Sequence, residues 1–285
     1  MARTRQGVCR RTVKCALACS LLLAFFAAAT AFAAPNQLRV CADPNDLPFS
    51  NSHQQGFENK LADMVASDLG MTVSYEWFPQ LNGFFRKTLK AGLCDVVMSV
   101  PSSFDEALPT RPYYRSTYVF VSRRDRHLDL HSFDDPALRA LRIGVQVVGG
   151  EEGSLPPTQA LSHRGLMRNV SAFNIVGNLS MSNPPAELID AVASGDVDVA
   201  VVWGPLAGYF ARQSSVPLDV VPVCASTRDA GIPFEFAISM GVRRNDTAMQ
   251  QKLNDFLERR QKDVRGLLES YGVPLVSAAQ AQRCQ

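Results

Sequence analysis

The chain reads Leu38-Arg39-Val40 near its start and Leu141-Arg142-Ile143 at an offset of 103 residues. The same offset separates Gly92-x-x-Asp95-Val96 from Gly195-x-x-Asp198-Val199. In each copy an apolar strand opens the unit, and 54 residues later a glycine ends a helix and leads into a second apolar strand. Two motif pairs in one register indicate two similar α/β lobes. Facing open sheets leave a crevice at the carboxyl ends of their strands, so we predict a two-lobed binding protein.

Hydrophobic periodicity predicts the elements around these motifs. Strands are expected at 38–42, 73–78 and 95–100, with helices at 58–69, at about 81–89 and at 186–194. Two longer strands are expected to cross between the lobes, the β-rich stretch 113–122 and the return crossing 234–242. The tail reads as two helices, the first capped by Asp246 and the second by Asp263.

The first 33 residues have the pattern of a secretory signal peptide. Five basic residues precede an apolar or small run over 15–33, and Ala31-Phe32-Ala33 provides a cleavage site. A membrane anchor is the alternative, but the Leu-rich centre is short and a processing site follows it. We therefore expect an exported, periplasmic protein, cleaved near Ala33, with no membrane span after the signal is removed.

Charge argues against nucleic acid as a partner. The chain has 29 Lys and Arg residues and 27 Asp and Glu residues, and residues 1–33 contain five of the basic ones and no acidic one. The remaining chain therefore has a net charge of about −3, with 24 basic against 27 acidic residues. Nucleic-acid binding requires a basic face, which this balance does not supply.

Four cysteines remain beyond the leader: Cys41, Cys94, Cys224 and Cys284. An even number in an oxidising compartment predicts two disulfides, for which the sequence allows three connectivities. We favour Cys41–Cys94, which stays within one lobe, together with Cys224–Cys284. Zinc binding is the alternative, but the sequence has no C-x-x-C pair to support it.

Several features are typical of one family: Gly56-Phe57-Glu58, the Gly92-x-x-Asp95 turn, Arg111-Pro112-Tyr113-Tyr114 and the closing helix pair. Together they resemble the amino-acid-binding periplasmic solute-binding proteins, family 3. The resemblance covers essentially all of the chain after the leader. It implies an α/β, two-lobed periplasmic binding protein fold (type II), in which each lobe is an open, mostly parallel sheet flanked by helices and two strands cross at the hinge. Lobe one would be 34–122 plus 236–285, lobe two 123–235, and closure would occur by hinge bending.

Longer strings carry a narrower resemblance. They lie at 38–45, 47–51 and 56–60, at 111–120 (Arg-Pro-Tyr-Tyr-Arg-Ser-Thr-Tyr-Val-Phe) and at 202–211 (Val-Trp-Gly-Pro-Leu-Ala-Gly-Tyr-Phe-Ala). They resemble the MxaJ/XoxJ-type quinoprotein-dehydrogenase-associated solute-binding proteins, which accompany pyrroloquinoline-quinone-dependent methanol dehydrogenases. The resemblance implies such a quinoprotein methanol or alcohol dehydrogenase as partner, and a role in its maturation or activation. The alternative function is the substrate-binding component of an ABC transporter for a small solute that is not an amino acid.

The residues expected in the cleft depart from the family 3 pattern at three places. Ser103 stands where the family has an Arg for the ligand carboxylate, and Trp203 stands where it has an Asp for the ammonium group. The family's small-residue anion site becomes Gly149-Gly150-Glu151-Glu152, whose carboxylates repel an anion. Free α-amino acids are therefore not expected as ligands, because their charges would be desolvated without partners.

The candidate ligand or partner cleft is instead mostly aromatic and neutral. Its predicted residues are Asn45, Phe49, Phe57, Ser102, Ser103, Arg115, Gly149 and Trp203. Such a lining suits a small neutral or aromatic solute, or a segment of a partner protein. A place in the core is the alternative for the three aromatic residues, and a solvated ion pair is the alternative for Arg115.

No enzyme, cofactor or metal site is predicted. The sequence shows no serine elbow and no phosphate-binding loop. His127 and His131 have the i,i+4 spacing of metal ligands on a helix, but they lie in a charged stretch where a helix is not strongly predicted. The interpretation is therefore a binding protein without catalytic residues.

Overall fold

A continuous mixed sheet dominates the computed structural model, which describes residues 36–147, 155–176 and 182–276. The described residues from Gln37 onward form one compact unit. The strands are β1 (Gln37–Ala42), β2 (Asn45–Asp46), β3 (Ser50–Asn51), β4 (Thr72–Trp77), β5 (Val96–Pro101), β6 (Leu108–Pro109), β7 (Tyr114–Arg123), β8 (Ile143–Val147), β9 (Val170–Asn174), β10 (Val199–Trp203), β11 (Leu218–Pro222) and β12 (Glu235–Val242). The main sheet has the order β4-β1-β5-β12-β7-β10-β8-β9, with β6 beside β12 and β11 beside β7, whereas β2 and β3 form a separate hairpin.

The sheet consists of two halves with the same arrangement. In the first half-sheet β4, β1 and β5 run parallel and β12 is antiparallel to β5. In the second half-sheet β9, β8 and β10 run parallel and β7 is antiparallel to β10. Each half thus has three parallel strands followed by one antiparallel strand, which is the structural form of the sequence repeat.

Strands β7 and β12 join the two halves. Residues 114–117 of β7 pair with residues 235–238 of β12, and residues 118–122 of β7 pair with β10. The sequence predicts both strands, at 113–122 and 234–242, and the structure has them at Tyr114–Arg123 and Glu235–Val242. The two-lobed α/β fold with two crossing strands is therefore confirmed.

The helices cover the faces of both half-sheets. They are α1 (Phe57–Asp68), α2 (Phe84–Lys87), α3 (Pro156–His163), α4 (Glu187–Ser194), α5 (Gly204–Gln213), α6 (Thr247–Arg259) and α7 (Gln261–Ser270). Within the described ranges, no helix combines the length and apolar character needed to cross a membrane.

Two helix predictions are wrong in extent or start. The helix expected at about 81–89 is reduced to the four residues of α2, because Gly83 before it has φ +87° and Thr88 after it has φ −120° and ψ −85°, neither of which is helical. Asp263 does not cap the second tail helix, since α7 begins at Gln261; it pairs instead with Arg260, Nε to Oδ2 at 2.7 Å. The cap predicted for α6 is confirmed, because Asp246 Oδ1 accepts from the Met249 N–H at 3.1 Å.

Separate apolar cores lie under the two half-sheets. The first is built around Leu38, Phe57 and Phe256, all fully buried. The second half-sheet is covered on both faces, by a cluster around Phe133 and another around Leu188. Burial on both faces explains why the parallel strands are continuous apolar runs in the sequence.

The structure forms one of the two expected disulfides within the described residues. Cys41 and Cys94 are bonded, with Cα atoms 5.5 Å apart, which ties β1 to the turn before β5. Cys224 is also disulfide-bonded, and Cys284, the partner expected for it, lies outside the described residues. The pairing Cys41–Cys94 is confirmed.

Candidate functional site

The candidate site lies where the strands of both half-sheets end, at the carboxyl ends of β1, β5 and β10. Trp203 is the last residue of β10, and its backbone N–H donates to Gln146 Oε1 at 2.8 Å. Its ring lies 5.4 Å from that of Tyr118 and 5.8 Å from that of Phe236. Trp203 is half-buried and packs against the apolar cores of both half-sheets. It therefore occupies the junction between the halves.

The two predicted phenylalanines have different environments. Phe57 is fully buried at the start of α1, with its ring 6.2 Å from Tyr114 and 5.9 Å from Tyr271. Phe49 is half-buried, with its ring 5.4 Å from that of Phe57. Phe57 thus takes the core position that the sequence left open as an alternative, and Phe49 is the more accessible of the two.

A very close backbone approach fixes the start of α1 in this region. A Cβ atom on Gly56 would lie 1.9 Å from the Phe49 carbonyl oxygen, so only glycine fits there. The Gly56 N–H and the Asn51 N–H both donate to Asn59 Oδ1, at 3.0 and 3.2 Å. The loop between β1 and α1 is therefore held tightly against the helix.

The predicted polar residues are distributed around the crossing strands. Ser102 bonds to β12, with its Oγ 2.7 Å from Ser239 Oγ and 3.1 Å from the Ala237 carbonyl oxygen. Ser103 and Arg115 are exposed. Asn45 is half-buried in the β2–β3 hairpin, and Gly149 lies outside the described residues. The structure thus brings Trp203 together with other aromatic residues, and it places Ser102 against a crossing strand.

Sequence reasoning missed a group of buried acids in the same region: Asp43, Asp46 and Glu58. Asp43 accepts from two backbone N–H groups, from Asn45 at 2.8 Å and from Gln80 at 2.7 Å. Asp46 Oδ1 is buried with no hydrogen-bond partner in the part of the chain that the structure describes. The signal available in the sequence was the polar turn 43–46, which follows β1 directly and so falls at the carboxyl edge of the sheet.

Burial changes the protonation of these acids. It raises the pKa of Glu58 to about 7; a hydrogen bond with Ser99 lowers that pKa and the nearby Asp43 raises it. Burial also raises the pKa of Asp46 well above its usual value, and Asp43 and Glu58 add to the increase. Among the described side chains, no Lys, Arg or His forms an ion pair with Asp46 or Glu58. This region therefore favours neutral carboxyl groups or a donor that would satisfy them.

A tyrosine continues the polar network. Ser99 Oγ lies 2.9 Å from the Tyr113 hydroxyl, which also donates to the Met98 carbonyl oxygen at 3.0 Å. Glu58, Ser99 and Tyr113 thus form a short chain of hydrogen-bonding groups between α1 and β5. The arrangement can bind a polar group or hold a proton. Across the described ranges, no cluster of three His, Cys, Asp or Glu side chains could hold a metal ion.

Comparison with known proteins identifies the family. The bacterial extracellular solute-binding proteins, family 3, match residues 38–272. Protein MoxJ of Methylorubrum extorquens is 31% identical over 247 residues, which cover 84% of this chain and 81% of MoxJ.

Two solved structures have similar folds over most of the chain. The periplasmic binding protein XoxJ from Methylobacterium extorquens AM1 is 36% identical, with a TM-score of 0.69, over 84% of this chain and 99% of XoxJ. MxaJ from Methlophaga aminisulfidivorans MPT is 26% identical, with a TM-score of 0.70, over 84% of this chain and 100% of MxaJ. The chain therefore belongs to the bacterial extracellular solute-binding proteins of family 3, and within that family it is of the MxaJ/XoxJ type.

Proposed function

We propose that this protein is a periplasmic accessory protein, without catalytic activity of its own, that assists maturation or activation of a pyrroloquinoline-quinone-dependent methanol or alcohol dehydrogenase. The observation that carries the proposal is the aromatic junction at Trp203. The family's carboxylate for an amino-acid ammonium group is replaced by an indole that packs against both half-sheets. The likeness to MoxJ, XoxJ and MxaJ over most of the chain supports a role shared with those proteins.

The missing cation supports the same conclusion. Ser103 stands where family 3 has the arginine that binds a ligand carboxylate, and it is exposed and uncharged. A zwitterion in this crevice would have both of its charged groups desolvated without a partner, which costs several kcal/mol per ion. A protein that had kept amino-acid transport as its role would retain these two charges.

A deletion strain tests the proposal. We expect loss of methanol oxidation, with dehydrogenase protein present but low in activity or in quinone content, and recovery on complementation with the wild-type gene. Complementation with Trp203→Asp is expected to fail if the aromatic junction is needed, whereas Arg168→Ala, an exposed change away from the junction, is the matched control. Normal dehydrogenase activity and quinone content in the deletion strain would refute the proposal.

The second candidate function is delivery of a small solute to an ABC transporter. It is favoured by the buried Asp46 Oδ1 without a partner and by the raised pKa of Glu58, since a hydrogen-bond donor could satisfy both. Calorimetric titration with neutral, aromatic and amine solutes tests it. Saturable binding that Asp46→Asn abolishes would support this function over the accessory role.

The leader and lobe boundaries belong to the same proposal. We propose that the chain is exported to the periplasm and cleaved near Ala33. We also propose that lobe one comprises 34–122 plus 236–285 and that lobe two comprises 123–235. The strand pairing of β7 and β12 supports those boundaries, because these two strands connect the half-sheets. Amino-terminal sequencing of the protein recovered from the periplasm, with Ala34 expected first, checks the cleavage site.

A further inference from the structure

The segment around the end of α7 contacts both half-sheets. Helix α7 belongs to the first core through Val264 and Leu268, which are buried there. Helix α5 belongs to the second half-sheet, because Leu206 and Ala207 are buried in the core around Leu188. The two helices meet at residues 269–274, and we call this segment the strap.

The backbones of α5 and the strap are in direct contact. A Cβ atom on Gly208 would lie 1.9 Å from the Gly272 carbonyl oxygen, and one on Gly272 would lie 2.7 Å from the Gly208 carbonyl oxygen. Gly272 also has φ +74°, which favours glycine for a second reason. A contact this close leaves no room for the two segments to slide past each other.

Side chains of α5 add a second layer of contacts. Arg212 Nη1 donates to the Glu269 carbonyl oxygen at 2.9 Å and to the Ser270 carbonyl oxygen at 3.3 Å, which caps the carboxyl end of α7 with a positive charge. Tyr209 stacks on Tyr271, with ring centres 5.7 Å apart and planes inclined by 16°. The Tyr271 hydroxyl in turn donates to the Gln55 carbonyl oxygen at 2.6 Å, in the loop before α1. Tyr271 thus contacts elements of both half-sheets.

The strap and the residues directly after it lie along the crossing strand β7. Ser116 Oγ donates to the Pro274 carbonyl oxygen at 2.7 Å, and the Val276 N–H donates to the Arg115 carbonyl oxygen at 3.0 Å. A Cβ on Gly204, at the start of α5, would lie 3.0 Å from Pro274 Cγ and 2.6 Å from the Thr117 carbonyl oxygen. The chain therefore passes between β7 and α5 as a third connection, beside the two crossing strands.

An apolar side chain from the segment that joins β1 to α1 also enters the second core. Leu47, in the turn between β2 and β3, is 6% exposed and belongs to the buried cluster around Val119, Leu188 and Val202. Burying a leucine side chain contributes about 2 kcal/mol. Opening the crevice would expose Leu47 and break its packing.

From these contacts we infer that the strap and Leu47 hold the two half-sheets closed in the absence of any ligand. In a hinge-bending binding protein the ligand supplies the free energy of closure. Here the closing contacts are intramolecular and involve main-chain approach, a charged cap, a stacked ring pair and a buried leucine. The conformation is therefore fixed by the chain itself, and a macromolecular partner meets one preformed surface.

Distance measurements between the half-sheets test the inference on the isolated protein. Spin labels are placed at Ser67→Cys on α1 and Ser162→Cys on α3. Both positions are exposed, and the two helices pack against different half-sheets. The ligand-free protein is expected to give one narrow distance distribution. Arg212→Ala removes the charged cap and is expected to add a longer distance, with about a tenfold increase in the open population.

The matched control is Gln213→Ala, since Gln213 is the exposed neighbour on α5 and its side chain donates to the Tyr209 carbonyl oxygen of its own helix. It should leave the distribution unchanged. Tyr209→Ala is the second variant, used if Arg212→Ala does not fold as judged by circular dichroism.

Two outcomes would overturn the inference. One is a broad distribution with open distances already present in the wild type. The other is a folded Arg212→Ala or Tyr209→Ala variant whose distribution equals that of the wild type. Neither outcome depends on a dehydrogenase, so the inference and the proposed function can fail separately.

Discussion

The two halves of the molecule use the same Arg–Asp contact to attach the first strand of each unit, and they reinforce it differently. In the first half-sheet Arg39 binds Asp95 through Nε and Nη2, at 3.1 and 2.6 Å, and donates to the Gly92 carbonyl oxygen at 2.9 Å. In the second, Arg142 binds Asp198 through Nε and Nη2, at 3.1 and 3.0 Å, and donates to the Gly195 carbonyl oxygen at 2.7 Å. Each half therefore contains the same contact. Its arginine comes from the first repeated motif and its aspartate from the second.

Each aspartate also binds a second arginine. Arg243 reaches Asp95 at 3.2 Å, and Arg126 reaches Asp198 at 3.0 Å. These second arginines come from different places in the two units, the end of β12 and the turn after β7. The repeat therefore preserves the charge arrangement without preserving the sequence that supplies it.

The reinforcement beside each contact differs in chemistry. Cys41 and Cys94 form a disulfide in the first half, and the positions at the same offset in the second half are Gly144 and Val197. A Cβ on Gly144 would lie 3.3 Å from Val197 Cγ2, so this pair also meets. A covalent bond in one half corresponds to an apolar contact in the other, which shows that the geometry, and not the bond, is the shared feature.

Removal of the disulfide is expected to have the largest effect. The bond closes a loop with a sequence separation of 53, so the Cys41→Ala, Cys94→Ala variant should lose about 4 kcal/mol of unfolding free energy. Urea denaturation of both proteins measures the difference. A loss below about 1 kcal/mol would mean that the first half, like the second, is held mainly by its apolar contact.

The buried acid of the first half predicts a dependence of stability on pH. Because the folded-state pKa of Glu58 is raised from 4.5 to about 7, the stability associated with its bound proton is present below about pH 4.5 and is lost as the pH rises through 7. The expected loss is about 3 kcal/mol. Glu58→Gln should remove this slope between pH 4.5 and 7, and Asp63→Asn, an exposed change on the same helix, is the control. An unchanged slope in Glu58→Gln would assign the dependence to another group.

The second half predicts a dependence of the opposite sign. Hydrogen bonds from Arg142 lower the pKa of Asp198 to about 2, so its contribution is present above about pH 4 and is lost as the pH falls towards 2. Both arginines are partly exposed, and we therefore expect Asp198→Asn to cost about 1–2 kcal/mol at pH 7. The difference between variant and wild type should disappear at pH 2 in chemical denaturation. A difference that persists there would contradict an ionic origin.

The smallest expected effect tests the contact that corresponds to the disulfide. Gly144→Ala places a Cβ 2.6 Å from Leu188 Cδ1 in a packed core and should cost about 1 kcal/mol. Gly266→Ala on α7 is the matched control, since nothing lies within 4 Å of its Cβ, and it should stabilise the helix by about 0.5–1 kcal/mol. Opposite signs in thermal unfolding would confirm that close packing, and not loss of glycine itself, explains the first result.

Local patterns predicted a large part of the fold. Strand periodicity located β1, β7 and β12 to within a residue or two at each end, because alternating or continuous apolar runs reflect burial directly. The Asp246 cap and the Cys41–Cys94 pair were also predictable, since each depends on residue type and spacing. The shortening of the helix expected at 81–89 was not predictable, because Gly83 adopts a left-handed conformation that the periodicity does not reveal.

The site was less predictable than the fold. Trp203 was located by its place at the end of a strand, and its contact with both half-sheets required the structure. Phe57 and Glu58 are adjacent in the sequence and both are buried, yet one is a core ring and the other a buried acid with a raised pKa. Sequence pattern does not distinguish these roles, because they depend on which distant groups pack around each side chain.

By itself the sequence determined the repeat and the positions of the main strands, because both depend on residue type and spacing along the chain. Only the tertiary structure decided which arginines share Asp95 and Asp198, that Leu47 enters the opposite core, and that the strap lies against α5. These contacts join segments far apart in the chain. Their free energy arises from close packing and burial, which exist only once the chain has folded.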